Sequence, residues 1–203
     1  MSTITPMPSV ESPPFSGWIP SPLFRMNLEQ YEAMVESGAF SEHDRFHLIN
    51  GFLVEKMTQH DPHATADELC GLALNKAIPP GWHVRSAKPV RLPPNSKPEP
   101  DRSVVRGTIR DYSNRSPGPD DVALIVEVSV SSLAEDRRQA DVYAASRIPC
   151  YWIVNVVERK VEVYLDPTPT GYKSQANYAA GDKVPVVIDG VQVDEIPVDE
   201  LLP

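Results

Sequence analysis

VALIVEVSV, residues 122–130, is an apolar and largely β-branched run with a single carboxylate, Glu127, inside it. The run is apolar on both faces, which is typical of a central strand covered on each side. A carboxylate in such a strand is costly to bury unless something pairs with it. The run therefore predicts both a core strand and a partner for Glu127.

A second carboxylate, Asp101, lies in the stretch PEPDRSVV, residues 98–105. If the two strands are neighbours, as sequential strands often are, Asp101 and Glu127 converge on one point. Mg²⁺ prefers a few carboxylate oxygens plus waters, so the pair fits a hydrolytic metal site that polarises a phosphodiester. No thiolate or imidazole cluster suggests Zn²⁺. The structural alternative is that Asp101 ends a turn and Glu127 pairs with an arginine such as Arg137.

The composition limits the class of protein. The chain has 203 residues and a formal net charge of −9, a poor match to proteins that hold nucleic acid by bulk electrostatics. A local basic groove stays compatible with that charge. The sequence contains neither an apolar run of ~20 residues nor a secretory signal pattern, which predicts no membrane association. Two distant cysteines, Cys70 and Cys150, suit the reducing cytoplasm, the predicted location.

The order of elements predicts an α/β fold. Residues 1–22 are rich in Ser, Pro and Thr and are expected to be a disordered leader, with residues 23–203 as the domain. A helix is expected from Asn27 to about Ser37, and Asn50-Gly51 predicts a hairpin turn. A further helix is expected after Asp61 as its cap, and strands over 82–92 and 99–106 follow. The predicted architecture is a mixed β-sheet flanked by helices.

Six stretches between residues 44 and 164 together resemble one family: DRFHLINGFLVEKM, DPHATADEL, PPGWHVR, KPEPDRSVVRG, DVALIVEVSVSSLAEDR and IPCYWIVNVVERKVEVY. Their order and spacing resemble the Uma-two family of restriction endonucleases, a branch of the PD-(D/E)XK nuclease superfamily. The resemblance implies a restriction-endonuclease-like fold and cleavage of DNA that depends on Mg²⁺, with Mn²⁺ as an alternative ion. It also implies that Asp101 and Glu127 are catalytic and bind the metal.

The chain departs from the family pattern at the lysine. Most of the superfamily has lysine two residues after the glutamate, where this chain has Ser129. The Uma-two branch is expected to carry its lysine on the next helix. Counting four residues back from Tyr143 gives Gln139, and counting forward from Asp136 gives Ala140. We expect Gln139 to stand in for the lysine.

Other residues are candidates for supporting roles. Arg137 and Arg138 are expected to bind the substrate phosphate, although a solvated helix face explains them equally well. His47 occupies a position where the family usually has glutamate, and His63 matches a family position. Both are candidates for the periphery of the site, and His63 is about as easily explained as an exposed residue at a helix start.

Two functions stay open at this point. One is a working but altered nuclease with DNA as its partner, for which a homodimer is an option because cutting both strands often requires two sites. The other is a catalytically inactive protein of nuclease fold that binds nucleic acid or a protein partner. A different hydrolase or metal-binding module on the same scaffold is a further alternative, since a fold does not fix a function.

Overall fold

The computed structural model describes residues 22–40, 44–56 and 60–203. The predicted leader lies outside the described residues except for Pro22. The helices of the described part are α1 (Leu28–Glu36), α2 (Asp61–Ala77) and α3 (Leu133–Ala145). Its strands are β1 (Phe46–Ile49), β2 (Phe52–Glu55), β3 (Trp82–Ser86), β4 (Arg102–Arg106), β5 (Val122–Ser129), β6 (Cys150–Asn155), β7 (Lys160–Thr168), β8 (Gly171–Ala179), β9 (Lys183–Ile188) and β10 (Val191–Pro197).

A six-stranded sheet in the order β3-β4-β5-β6-β7-β8 forms the centre of the fold. Only the pair β5–β6 in this sheet is parallel, and α3 makes the crossover that a parallel pair requires. The pairs on either side of it are antiparallel. The predicted class, a mixed α/β sheet flanked by helices, is confirmed.

Alternate residues of β5 enter two different cores, as the pleat of a strand requires. Leu124 and Val126 pack in the core that contains α2, whereas Ile125 packs in the core that contains Tyr143 of α3. Glu127 follows Ile125 by two residues and so lies on the α3 side. This alternation aims the carboxylate of β5 at the helix that follows it.

The hairpin β1–β2 lies against the chain just before β4. It turns at Asn50 and Gly51 as predicted, and it pairs antiparallel. The amide of Gly51 donates to the carbonyl of Asn95, and that of Lys97 donates to the carbonyl of Leu48, each at 2.7 Å. These two bonds fix β1 and the hairpin turn beside residues 95–97.

Three predicted boundaries were wrong, and a predicted cap was confirmed. Strand β4 begins at Arg102 rather than at Glu99. Strand β3 ends at Ser86 rather than near residue 92, because its partner β4 begins at Arg102 and prolines that cannot donate to a ladder follow. Asp61 is the first residue of α2, and His60 occupies the cap position. Asn27 caps α1 as expected, in a reciprocal pair of hydrogen bonds with Gln30.

The thiols of Cys70 and Cys150 are both free and buried. Among the described residues, no helix combines the length and the apolar character that crossing a membrane demands.

Candidate active site

Asp101 and Glu127 lie side by side at the junction of β4 and β5. The backbone N–H of Asp101 donates to Glu127 Oε2 at 3.1 Å, and the N–H of Val128 donates to Asp101 Oδ2 at 2.8 Å. Each carboxylate is therefore held by the backbone of the other strand. The arrangement follows from the register of the pair, in which Arg102 faces Val126. The expectation that the two strands are neighbours is confirmed.

Helix α3 holds Glu127 from the opposite side. The hydroxyl of Tyr143 donates to Glu127 Oε1 at 2.8 Å and lies 3.4 Å from Oε1 of Gln139. Tyr143 is fully buried, whereas Gln139 lines a cavity. The structure thus brings Gln139 next to the two carboxylates.

A third carboxylate, Asp136, approaches the site from the first turn of α3. It is 6% exposed, and the hydroxyl of Ser132 donates to its Oδ2 at 2.7 Å. Burial raises the pKa of Asp136 to about 6, against the opposing effect of the hydrogen bond from Ser132. Asp136 was not predicted as a site residue.

Three acidic side chains approach one another here: Asp101, Glu127 and Asp136. Burial raises the pKa of Glu127 well above its usual value, and the charges of Asp101 and Asp136 raise it further. A divalent cation would relieve that repulsion, and a carboxylate oxygen that accepts one hydrogen bond keeps lone pairs for a ligand. The donor set is therefore suited to a hard cation such as Mg²⁺.

The number of ligands also fits Mg²⁺ better than a closed metal cage. Within residues 22–40, 44–56 and 60–203, no group of three or more His, Cys, Asp or Glu side chains is arranged to hold a metal. Mg²⁺ usually keeps several waters and takes one or two carboxylates together with phosphate oxygens. Asp101 and Glu127 would supply those carboxylates.

His63 joins the site from the first turn of α2. Its Nε2 lies 3.1 Å from Asp101 Oδ2. Burial acts to lower the pKa of His63, but the hydrogen bond to Asp101 and the charges of nearby carboxylates outweigh it, so the pKa is raised. The structure brings this peripheral candidate into contact with Asp101.

His47 lies in the wall of the same cavity and is 9% exposed. Burial, followed by the positive charge of Lys56, lowers the pKa of His47 to about 4. Its Nδ1 is buried and has no hydrogen-bond partner among the described residues. His47 is consequently uncharged at neutral pH and forms part of the cavity wall.

The cavity that these residues line has a volume of about 600 Å³. Arg138 and Gln139 of α3 are part of its lining in the described chain, and Arg137 is not. Arg137 pairs instead with Glu162 of β7, at 3.0 Å between Nε and Oε2. The alternative in which Glu127 pairs with Arg137 is therefore wrong.

Lys56 and Tyr143 were not predicted as site residues. The ammonium of Lys56 pairs with Glu99, and both side chains line the cavity. No local pattern indicates this contact, because it depends on how the hairpin docks. A signal for Tyr143 does exist: Asp136, Gln139 and Tyr143 are three and four residues apart, so they share one face of α3.

The chain matches a protein family and the fold of a solved structure. Residues 28–198 match the family model Uma2, described as "Putative restriction endonuclease". The chain is also similar to a crystal structure described as a "putative nuclease belonging to DUF820" from Anabaena variabilis ATCC 29413. That match has a TM-score of 0.66 at 15% identity and covers 87% of this chain and 97% of that chain. At this identity it shows a shared fold. No curated protein matches the chain. Because the family model spans most of the sequence and confirms the resemblance in its motifs, the chain belongs to the Uma2 family.

Proposed function

We propose that this protein is a metal-dependent endonuclease that hydrolyses phosphodiester bonds in DNA. The observation that carries the proposal is the reciprocal hold on two carboxylates, in which the amide of Asp101 binds Glu127 and the amide of Val128 binds Asp101. The two carboxylates meet each other at the wall of a cavity.

Asp101 and Glu127 would hold Mg²⁺, or Mn²⁺ in its place. When bound, the ion supplies Lewis acidity to the phosphate and lowers the pKa of a bound water. Tyr143 keeps Glu127 in position through its hydroxyl, and His63 does the same for Asp101. These contacts restrict the carboxylates to the orientation that faces the cavity.

Hydrolysis requires that a water oxygen bond to phosphorus while the bond from phosphorus to one ester oxygen breaks. The attacking water loses one proton, and the leaving alkoxide gains one, so a diester and water become a monoester and an alcohol. The Gln139 amide can orient the water by hydrogen bonding but carries no charge. Arg138, which lines the cavity, is proposed to bind a substrate phosphate oxygen.

The acidic composition restricts DNA binding to this local region rather than to a broad basic face. Cations in the cavity wall include Arg45, Lys56 and Arg138, so a phosphate there meets positive charge on two sides. A homodimer with two such sites is part of the proposal for cutting both strands. The free thiols of Cys70 and Cys150 support a reducing compartment, the cytoplasm.

One observation supports a second function. The expected position of the helix lysine falls on Gln139 or Ala140, neither of which is charged. Loss of one charged or hydrogen-bonding donor to a transition state typically costs ~10²–10³ in rate. A protein that keeps the fold and the carboxylates but has lost that charge would bind DNA without cutting it.

The test uses a short labelled duplex incubated with Mg²⁺, and it follows the appearance of new phosphate ends. The wild-type protein should produce them, EDTA should prevent this, and Asp101→Asn should reduce the rate by at least ~10². DNA binding by the wild type with no new ends in any divalent metal would support the second function instead.

A further inference from the structure

The site lacks the positive charge that the family takes from a lysine on α3. Ser129 occupies the superfamily position, and either Gln139 or Ala140 occupies the expected position on α3; none of the three carries a charge. Developing negative charge on the phosphate therefore needs another compact cation in the same cavity. The described part of the cavity wall contains a single lysine, Lys56.

Lys56 directly follows β2, and its backbone is held by a hydrogen bond. Its backbone N–H donates to the carbonyl of Arg45 at 2.7 Å, which extends the hairpin ladder by one more bond. Its side chain is 23% exposed and pairs with Glu99, which is 25% exposed. Glu99 precedes Asp101 by two residues, a stretch of chain that spans at most ~7 Å. Lys56 is thus held near Asp101, which directly precedes β4.

The positive charge of Lys56 also acts on a residue of the cavity wall. Its charge contributes to lowering the pKa of His47, a residue in the cavity wall. Arg138 approaches from α3 and Lys56 from the hairpin, so the two cations come from different elements of the wall. An ammonium on a flexible four-carbon stem can exchange one anionic partner for another, which a rigid guanidinium does less readily.

We propose that Lys56 replaces the missing helix lysine as a catalytic residue. This proposal rests on the function proposed above. In it, the ammonium leaves Glu99 when DNA enters and donates a hydrogen bond to a non-bridging oxygen of the phosphate that is cut. It remains protonated throughout, so the proton balance of hydrolysis is unchanged, and it stabilises the charge that builds up as water attacks and the ester oxygen leaves.

The competing explanation is that the Lys56–Glu99 pair only fastens the hairpin to the chain before β4. Three variants separate the two roles. Lys56→Met keeps the length of the stem and should lower the cleavage rate at saturating DNA by ~10² or more. Lys56→Arg keeps the charge and should stay within ~10-fold of the wild type. Glu99→Gln breaks the same ion pair but keeps the lysine, so it should reduce the rate far less than Lys56→Met.

A matched control and a rescue make the test specific. Lys76→Met removes an exposed lysine near the end of α2 and should leave the rate unchanged. Adding Gln139→Lys to Lys56→Met places a lysine at the candidate family position on α3. The double variant should cleave at least ~10-fold faster than Lys56→Met alone. Thermal unfolding of every variant verifies that it is folded.

A readout without metal separates failure of this proposal from failure of the proposed function. The affinity for a short duplex is measured in EDTA against salt concentration, where each phosphate contact contributes a slope of about −0.9 on logarithmic axes. Lys56→Met should remove about one such contact, and Lys76→Met none. If Lys56→Met matches the wild type in rate and slope, or if Glu99→Gln is equally slow, the proposal is overturned while the nuclease stands. If the wild type does not cleave at all, the nuclease fails, and the slope alone decides the contact between Lys56 and phosphate.

Discussion

Tyr143 provides the donor that holds Glu127 from α3, and replacing it with phenylalanine removes that donor with little change in volume. The bond measures 2.8 Å, and the tyrosine is fully buried. A hydrogen bond to a charged group contributes ~1.5–3 kcal/mol, and 1.36 kcal/mol corresponds to a factor of ten. Glu127 binds a cation only as a carboxylate. Tyr143→Phe should therefore weaken Mg²⁺ binding ~10- to 100-fold at neutral pH.

The loss of Mg²⁺ affinity in Tyr143→Phe should depend on pH. The Tyr143 bond lowers the pKa of Glu127 against the larger opposing effect of burial. Without that bond the pKa rises further, so the variant needs a higher pH to reach the same metal affinity. The loss should shrink as pH rises above about 7, because both proteins then become increasingly deprotonated at Glu127.

Isothermal titration with Mg²⁺ across that pH range measures the effect. Tyr151→Phe is the matched control, because Tyr151 is equally buried but donates to the backbone carbonyl of Asp136 at 2.9 Å. Its affinity should follow the wild type. Equal affinities of Tyr143→Phe and Tyr151→Phe at every pH would refute the assignment of Glu127 as a metal ligand held by Tyr143.

Two further predictions concern stability and the arginines of α3. The pKa of His47 is about 4 in the folded protein and 6.5 in the unfolded chain, so between these pH values only the unfolded chain is protonated at His47. Lowering the pH from 6.5 to about 4 should therefore reduce the free energy of unfolding by about 3 kcal/mol. Chemical denaturation should show this loss in the wild type and not in His47→Leu; identical pH profiles would contradict it. Arg137→Ala should lower the free energy of unfolding by about 1–2 kcal/mol, because it strips a partner from the buried Glu162, with little loss of DNA affinity. Arg138→Ala should weaken DNA binding with little loss of stability. If Arg137→Ala weakens DNA binding and Arg138→Ala does not, Arg137 rather than Arg138 binds the substrate phosphate.

The centre of the site was predictable because its residues are fixed by local rules. An apolar run marked β5 as a central strand, and sequential strands tend to pair, which placed Asp101 beside Glu127. Helical spacing then placed Gln139 on the same face as Tyr143. The choice of Gln139 as a candidate site residue came from the family resemblance, whereas its position beside Tyr143 follows from helix periodicity.

The remainder depended on distances that local rules do not supply. Arg137 and Arg138 are adjacent in sequence, but successive helix residues point about 100° apart, so one meets Glu162 and the other the cavity. Lys56 reaches Glu99 across 43 residues because the hairpin docks against the chain before β4. The early end of β3 was missed for a similar reason, since its length is limited by the strand that pairs with it.

The central claim is that the carboxylate pair of β4 and β5 supports metal-dependent cleavage of DNA. The most direct measurement compares nicking of supercoiled plasmid by the wild type and by Glu127→Ala, with increasing Mg²⁺ or Mn²⁺ and with both proteins purified identically. We predict relaxed and then linear plasmid with the wild type and intact plasmid with the variant. Equal nicking by the two proteins, or nicking that persists in EDTA, would contradict the claim.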